Sequence, residues 1–193
     1  METTEKQMNE TEGFEIIQKM INTVKAEIDD SSFYNLLWGW LVFIASLGNY
    51  ALLMSGYEHP YITWWLMPVG GIVTGIYASK HERHKKVKTY LDELMKYVLI
   101  AFGVSLCMVL LFQSKLQMNT YPMVMMVYGI WLFISGGTIR FKPLMIGGII
   151  NWILAMAAFF VSFDQQLLLL ALAVLLGYII PSYLFKKKFA NHV

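Results

Sequence analysis

Residues 128–155 read YGIWLFISGGTIRFKPLMIGGIINWILA, two apolar runs rich in small residues joined by the short turn Thr138-Ile139-Arg140-Phe141-Lys142-Pro143. Backbone amides cannot stay unpaired in hydrocarbon, so unbroken apolar runs of this length predict a tight pair of membrane-spanning helices. The rest of the chain after residue 33 varies the same pattern. Of the 193 residues, 57% are hydrophobic, more than the interior of a soluble domain of this size encloses, and they are gathered into blocks. This composition places the chain in the membrane class. The single cysteine, Cys107, lies inside an apolar run, which excludes an internal disulfide and reads as a small packing residue. The polar, acid-rich start lacks the basic opening and short apolar core of a signal peptide, so the first span is expected to be retained.

The expected fold is all-α: a polytopic membrane protein of six transmembrane helices preceded by a cytosolic amphipathic helix. Residues 1–12 have little apolar content and are expected to be disordered. In residues 13–32, Phe14, Ile17, Met20, Ile21, Val24 and Ile28 recur at threes and fours and form one helical stripe, ending near Asp29-Asp30-Ser31-Ser32. That stripe lacks the Lys- and Arg-rich border of a helix lying on anionic lipid, which favours packing against protein: the chain's own cytosolic loops, a second copy or a cytosolic partner. The six-helix domain covers 33–186, with spans at about 34–54, 61–78, 94–113, 120–138, 143–162 and 166–185. A basic tail, 187–193, follows.

Basic residues set the orientation. Lys6, Lys19 and Lys25 precede the first span, and Lys80, Arg83, Lys85, Lys86, Lys88 and Lys96 lie between the second and third. Arg140 and Lys142 sit in the turn after the fourth, and Lys186, Lys187 and Lys188 follow the sixth. The opposite side carries Lys115 alone. The positive-inside rule then puts both termini in the cytoplasm. Lys80, Arg83, Lys85, Lys86, Lys88, Arg140 and Lys142 are accordingly read as topology-setting residues that also contact anionic headgroups. Thr89, three residues before Asp92, resembles a capping box and predicts that the third helix starts there, within the cytosol.

No catalytic set is legible: there is no nucleophile with base and orienting group, no phosphate loop and no paired carboxylates. His81 and His84 flank Glu82, but the surrounding cations repel a metal ion. No enzyme activity, cofactor, metal or nucleic-acid partner is therefore expected. The spans carry no central ionisable residue, which disfavours proton- or ion-coupled transport. Their polar residues are the candidates for function: Asn49, Thr74, Ser135 and Asn151. Asn151 lies mid-span and reads first as an interhelical hydrogen-bond donor and second as part of a solute route. The glycine pairs 70–71, 136–137 and 147–148 read first as close-packing faces.

Residues 38–46 resemble 128–136, and 69–74 resemble 146–151, as an inverted repeat would, but the offsets of 90 and 77 do not bring the span midpoints into register. The combination of FYNLLWGWLVFIASLGNYALL at 33–53 with the 128–155 stretch resembles a family of uncharacterised small bacterial membrane proteins with six predicted spans. The most specific elements are Leu37-Trp38-Gly39-Trp40 and Phe141-Lys142-Pro143-Leu144 followed by Gly147-Gly148. The resemblance implies a bacterial cytoplasmic-membrane setting and brings no activity. Taken together, the sequence points to a non-enzymatic membrane protein acting through a homo-oligomer or a cytosolic partner in sensing, regulation or assembly. A small carrier or channel for a neutral or amphipathic solute is the alternative.

Overall fold

The structure is a computed structural model that describes the backbone of residues 10–81 and 90–190, with side chains described for 32–80 and 93–187. Every described element is helical. The order is α1 (Glu10–Met54), a 3-10 helix (Pro60–Trp65), α2 (Leu66–His81), α3 (Tyr90–Leu111), a short α4 (Gln113–Leu116), a 3-10 turn (Gln117–Asn119), α5 (Thr120–Thr138) and α6 (Lys142–Ala158). Then α7 (Phe163–Val174), a π-helical turn (Leu175–Ile179) and α8 (Ile180–Ala190) follow without a break. Four stretches are long and apolar enough to cross a membrane: 32–54, 93–111, 113–138 and 163–187.

Two of the elements differ from the sequence reading. The amphipathic segment does not stop at Asp29-Asp30-Ser31-Ser32; α1 continues through it as one helix of 45 residues. The acidic pair and the serines favour a helix end only when the following residues have no reason to be helical, and here the next residue opens an apolar span. The stretch expected to form the second span is not uniform either. Its entrance is the 3-10 helix at Pro60–Trp65, and the α-helical part begins only at Leu66. Pro60 lacks an N–H and starts the tight segment, while the N–H of Leu66 bonds to the carbonyls of Thr63 and Trp64 at the junction. The helix expected as the fourth span, α5, has the bounds expected of it, Thr120–Thr138.

The core is built from α1, α5, α6 and the α7–α8 rod, and the most extensive contact is between α5 and α6. The turn joining those two helices is a Schellman motif. Phe141 N–H donates to Gly136 O at 2.8 Å and Arg140 N–H to Gly137 O at 3.2 Å. Arg140 occupies the left-handed position usually given to glycine, at φ 53°. Phe141 is buried and meets the Phe185 ring at 5.1 Å, and Pro143 lies in the first turn of α6, where its missing N–H costs nothing.

Below the turn, glycines bring backbones into contact. A Cβ on Gly148 would lie 2.8 Å from Gly129 O and from Phe133 N, and one on Gly147 would lie 2.5 Å from Gly177 O. The first contact joins α6 to α5 and the second joins α6 to the π turn. Gly71, Gly75, Gly103 and Gly137 face open space instead. The expected packing role thus applies to one member of the 136–137 pair and to both members of 147–148; in the 70–71 pair only Gly70 is covered, by Leu41 and Trp38 of α1.

The other two long helices are peripheral. α2 rests on α1, with Tyr77 stacked on Phe33 at 4.2 Å, and α3 packs chiefly on α5, with Phe102 seated between Tyr128 and Trp131 at 5.3 and 5.2 Å. Between Glu93 and Leu111, α3 is strongly apolar and has no buried residue. An apolar helix left that bare in water would be a large aggregation-prone surface; lipid is the solvent that suits it.

Three substitutions test this account by detergent-phase unfolding. Gly147→Ala drives a methyl group into Gly177 and should destabilise by about 1–3 kcal/mol, whereas Gly137→Ala, in open space, should leave the midpoint unchanged or slightly higher. Arg140→Gly relieves a left-handed backbone that costs an L-residue about 1–2 kcal/mol, less the entropy of the glycine, so a net gain of about 0.5–1 kcal/mol is expected.

Candidate functional site

The four polar residues singled out in the spans do not line one path. Asn151, on α6, is 1% exposed, and its side-chain amide donates to Gly147 O on its own helix at 2.9 Å and to Ala173 O on α7 at 3.2 Å. Ala173 lies in the last turn before the π segment, where a change of hydrogen-bond register leaves carbonyls short of their usual donors. The amide of Asn151 also lies directly over Gly177, so a side chain there would displace it. Asn151 therefore reads as a cross-helix tie, joining α6 to the rod at the glycine contact.

Asn49 is buried at the other side of the core, near the end of α1, and belongs to a separate polar layer. Its amide orientation follows from its neighbours. With Oδ1 facing the donors, it accepts from Trp64 Nε1 at 2.8 Å and from the Tyr121 hydroxyl at 3.3 Å, while Nδ2 donates to Pro60 O at 3.1 Å. The rings of Trp64 and Tyr121 stack at 5.9 Å. One turn earlier on α1, Ser46 Oγ donates to Leu167 O of α7 at 2.7 Å, and Thr63 of the 3-10 helix donates to Ala45 O at 2.9 Å. Gln166, 1% exposed, donates through Nε2 to Ala158 O at 3.0 Å and so satisfies a carbonyl at the end of α6. Its Oε1 has no partner.

Ser135 and Thr74 have hydroxyls that are buried without a hydrogen-bond partner, Ser135 in the core helix α5 and Thr74 on peripheral α2. Neither shares a partner with Asn49 or Asn151. The two best-formed clefts among the described residues also avoid all four positions. One is a groove of about 470 Å³ along α1, and the other is a pocket of about 50 Å³ beside the α5–α6 turn.

The sequence reading missed Ser46, Thr63, Trp64, Tyr121 and Gln166 as members of a network. Ser46 and Asn49 are three apart on one helix face, which was a usable signal. The partners come from segments 18 to 121 residues away, and no local pattern announces them. Trp64 and Tyr121 have the composition of an interfacial belt, yet their polar ends turn inward to Asn49. Among the basic residues, Lys80, Arg140 and Lys142 are exposed, while Arg83, Lys85, Lys86 and Lys88 lie outside the described residues. So do the side chains of Phe14, Ile17, Met20, Ile21, Val24 and Ile28, whose backbone forms part of α1. Thr89 is outside as well, and α3 is in place from Tyr90.

Chemically, both polar clusters consist of amides, hydroxyls and an indole bonded to backbone or to one another. They hold helices together; nothing in them is arranged to accept a proton from, or attack, a substrate. Among the described residues there is no group of three His, Cys, Asp or Glu side chains that could hold a metal ion. Compared with family models, curated proteins and solved structures, the chain matches none.

Asn151→Ala should destabilise by about 1–2 kcal/mol, the value of a membrane interhelical hydrogen bond plus the space vacated. Ser135→Ala removes a hydroxyl that bonds to nothing and should be neutral or stabilising. Parallel unfolding curves separate the two.

Proposed function

We propose that this is a six-span membrane protein with both termini cytoplasmic, working by self-association through the N-terminal part of α1. Six crossings are supported by charge and by length. Fourteen of the fifteen Lys and Arg residues fall on one side of such a topology. The 3-10 segment and α2 together give a path of about 36 Å, at ~2.0 Å and ~1.5 Å per residue, which suits a hydrocarbon core of about 30 Å. The 17-residue α6 is about 25 Å long and fits with slight local thinning of the bilayer.

The observation that carries the functional reading is the continuity of α1. Its apolar part, Ser32–Met54, takes 23 residues, which leaves 22 of the 45 to continue as helix for about 33 Å beyond the bilayer. In that extension Phe14, Ile21 and Ile28 stand seven residues apart, and so do Ile17, Val24 and Ser31. These are the a and d positions of a heptad, five of the six apolar. A seam of that spacing is closed by the same seam on another copy. Met20, at the neighbouring g position, broadens it. The acidic residues beside the seam make anionic lipid a poor alternative cover.

The carrier reading has less support. Asn151, its central residue, is spent on backbone carbonyls of two helices, and the other three polar positions have no route in common. Catalysis has less still, since neither polar cluster contains a reactive arrangement.

The test is thiol cross-linking in native membranes, with Cys107→Ala as background. Val24→Cys should give cross-linked oligomers, Lys19→Cys on the opposite f position should give few, and Val24→Asp should abolish association seen by a second method such as energy transfer between labelled copies. Monomers alone from Val24→Cys would overturn the proposal. Loss of solute flux in Asn151→Leu vesicles, with assembly intact, would favour the carrier.

A further inference from the structure

The groove along α1 runs between α2 and α8. Its floor is one face of α1, made by Phe33, Leu36, Leu37, Trp40, Leu41 and Ile44 at helical spacings of three and four. Tyr77 of α2 and Lys186 of α8 stand at one end. From Phe33 to Ile44 is eleven residues, about 16 Å of helix, which is about half of a ~30 Å hydrocarbon core. The groove therefore spans one leaflet from its polar edge to the midplane, if the bilayer is placed as proposed above. Its volume, about 470 Å³, is that of a small-molecule site, and it is open to the side.

We infer that this groove binds one anionic phospholipid of the cytoplasmic leaflet, an acyl chain lying on the Phe33–Ile44 stripe and the phosphate at Lys186. The chemistry changes along the groove in the way the ligand requires. Its inner part is wholly aliphatic and indole surface. Its outer end carries an aromatic collar, Phe33, Tyr34 and Tyr77, with Tyr34 and Tyr77 edge to face at 5.4 Å. Rings of this kind settle at the headgroup boundary. Lys186 lines the groove, the exposed Lys187 follows it in the sequence, and the exposed Lys80 is three residues beyond Tyr77 on α2. Asp29 and Asp30 lie about one turn before Phe33 in the sequence, and the three lysines exceed these two carboxylates by one charge. A polar bridge steadies one wall: Trp40 Nε1 donates to the Tyr183 hydroxyl of α8 at 3.4 Å.

Native mass spectrometry of the full-length protein, released from nanodiscs containing equal amounts of phosphatidylglycerol and phosphatidylcholine, tests the inference. One phosphatidylglycerol per chain should persist after other lipid is stripped, at roughly fivefold over phosphatidylcholine, the preference expected of about one well-placed cation. Ile44→Trp, which fills the inner end, and Leu37→Trp, which fills the middle, should each cut retention several-fold while elution volume and melting behaviour stay those of the wild type. Lys186→Gln should bring the lipid ratio towards one and leave retention of the tail. Equal retention of both lipids by the wild type overturns the inference, as does undiminished retention in both folded tryptophan variants. So does a disulfide-linked dimer formed through Leu37→Cys in the Cys107→Ala background, which would put a second copy in the groove. Flotation with vesicles reads the bilayer placement separately: a chain that floats without selective retention has lost the groove site alone.

Discussion

In hydrocarbon, apolar side chains gain nothing by leaving lipid for one another, so helices associate through close packing and a few hydrogen bonds. The contact of α6 with Gly129 on one side and Gly177 on the other is where this chain meets that constraint. At Gly147 and Gly148 the absence of side chains lets three backbones come within van der Waals distance, and dispersion is strongest where atoms are densest. Asn151 adds one directional bond at the same level and fixes the rotation of the helices about their axes. The Schellman turn holds α5 and α6 in register for this contact, and it does so at the expense of a non-glycine residue in the left-handed region.

The second polar layer does a different job. Asn49, Ser46 and Thr63 tie α1 to α7 and to the 3-10 segment, whose backbone would otherwise present unpaired groups at the membrane edge. Around this fixed quartet, α2 and α3 are attached by single faces and a few aromatic contacts. The protein is thus a rigid centre with two outlying helices and one long lever, α1. The lever and the α1 groove use separate lengths of the same helix, residues 10–31 and 33–44.

The all-helical class was legible in the sequence because long apolar runs in a bilayer must pair their backbone groups as helices, and the expected bounds 120–138 recur in α5. The role of Gly147 and Gly148 was legible from composition. Their partner was not: Gly177 sits in a run of leucine and isoleucine that reads as an ordinary span, and a π turn has no sequence signature of its own. The continuity of α1 was misread because Asp29-Asp30-Ser31-Ser32 has local end-of-helix chemistry, and the neighbouring span overrides it. Of the candidate site, Asn151 was found with its interhelical role, since an amide mid-span must be bonded. The layer around Asn49 was seen only as one isolated residue, because its members lie far apart along the chain.

That separation along the chain has a consequence for biosynthesis. The helices that cover α1 are mainly the last to be made: Ser46 waits for Leu167, and Trp40 for Tyr183, 121 and 143 residues later. Until then α1, α2 and α3 have little to hold them, and the α5–α6 hairpin, with its local turn, is the first unit able to close. A nascent or truncated chain lacking α7 and α8 displays Ser46 without its acceptor on α7 and leaves a face of α1 uncovered, so an unfinished molecule differs from a finished one in buried polar groups as well as in length.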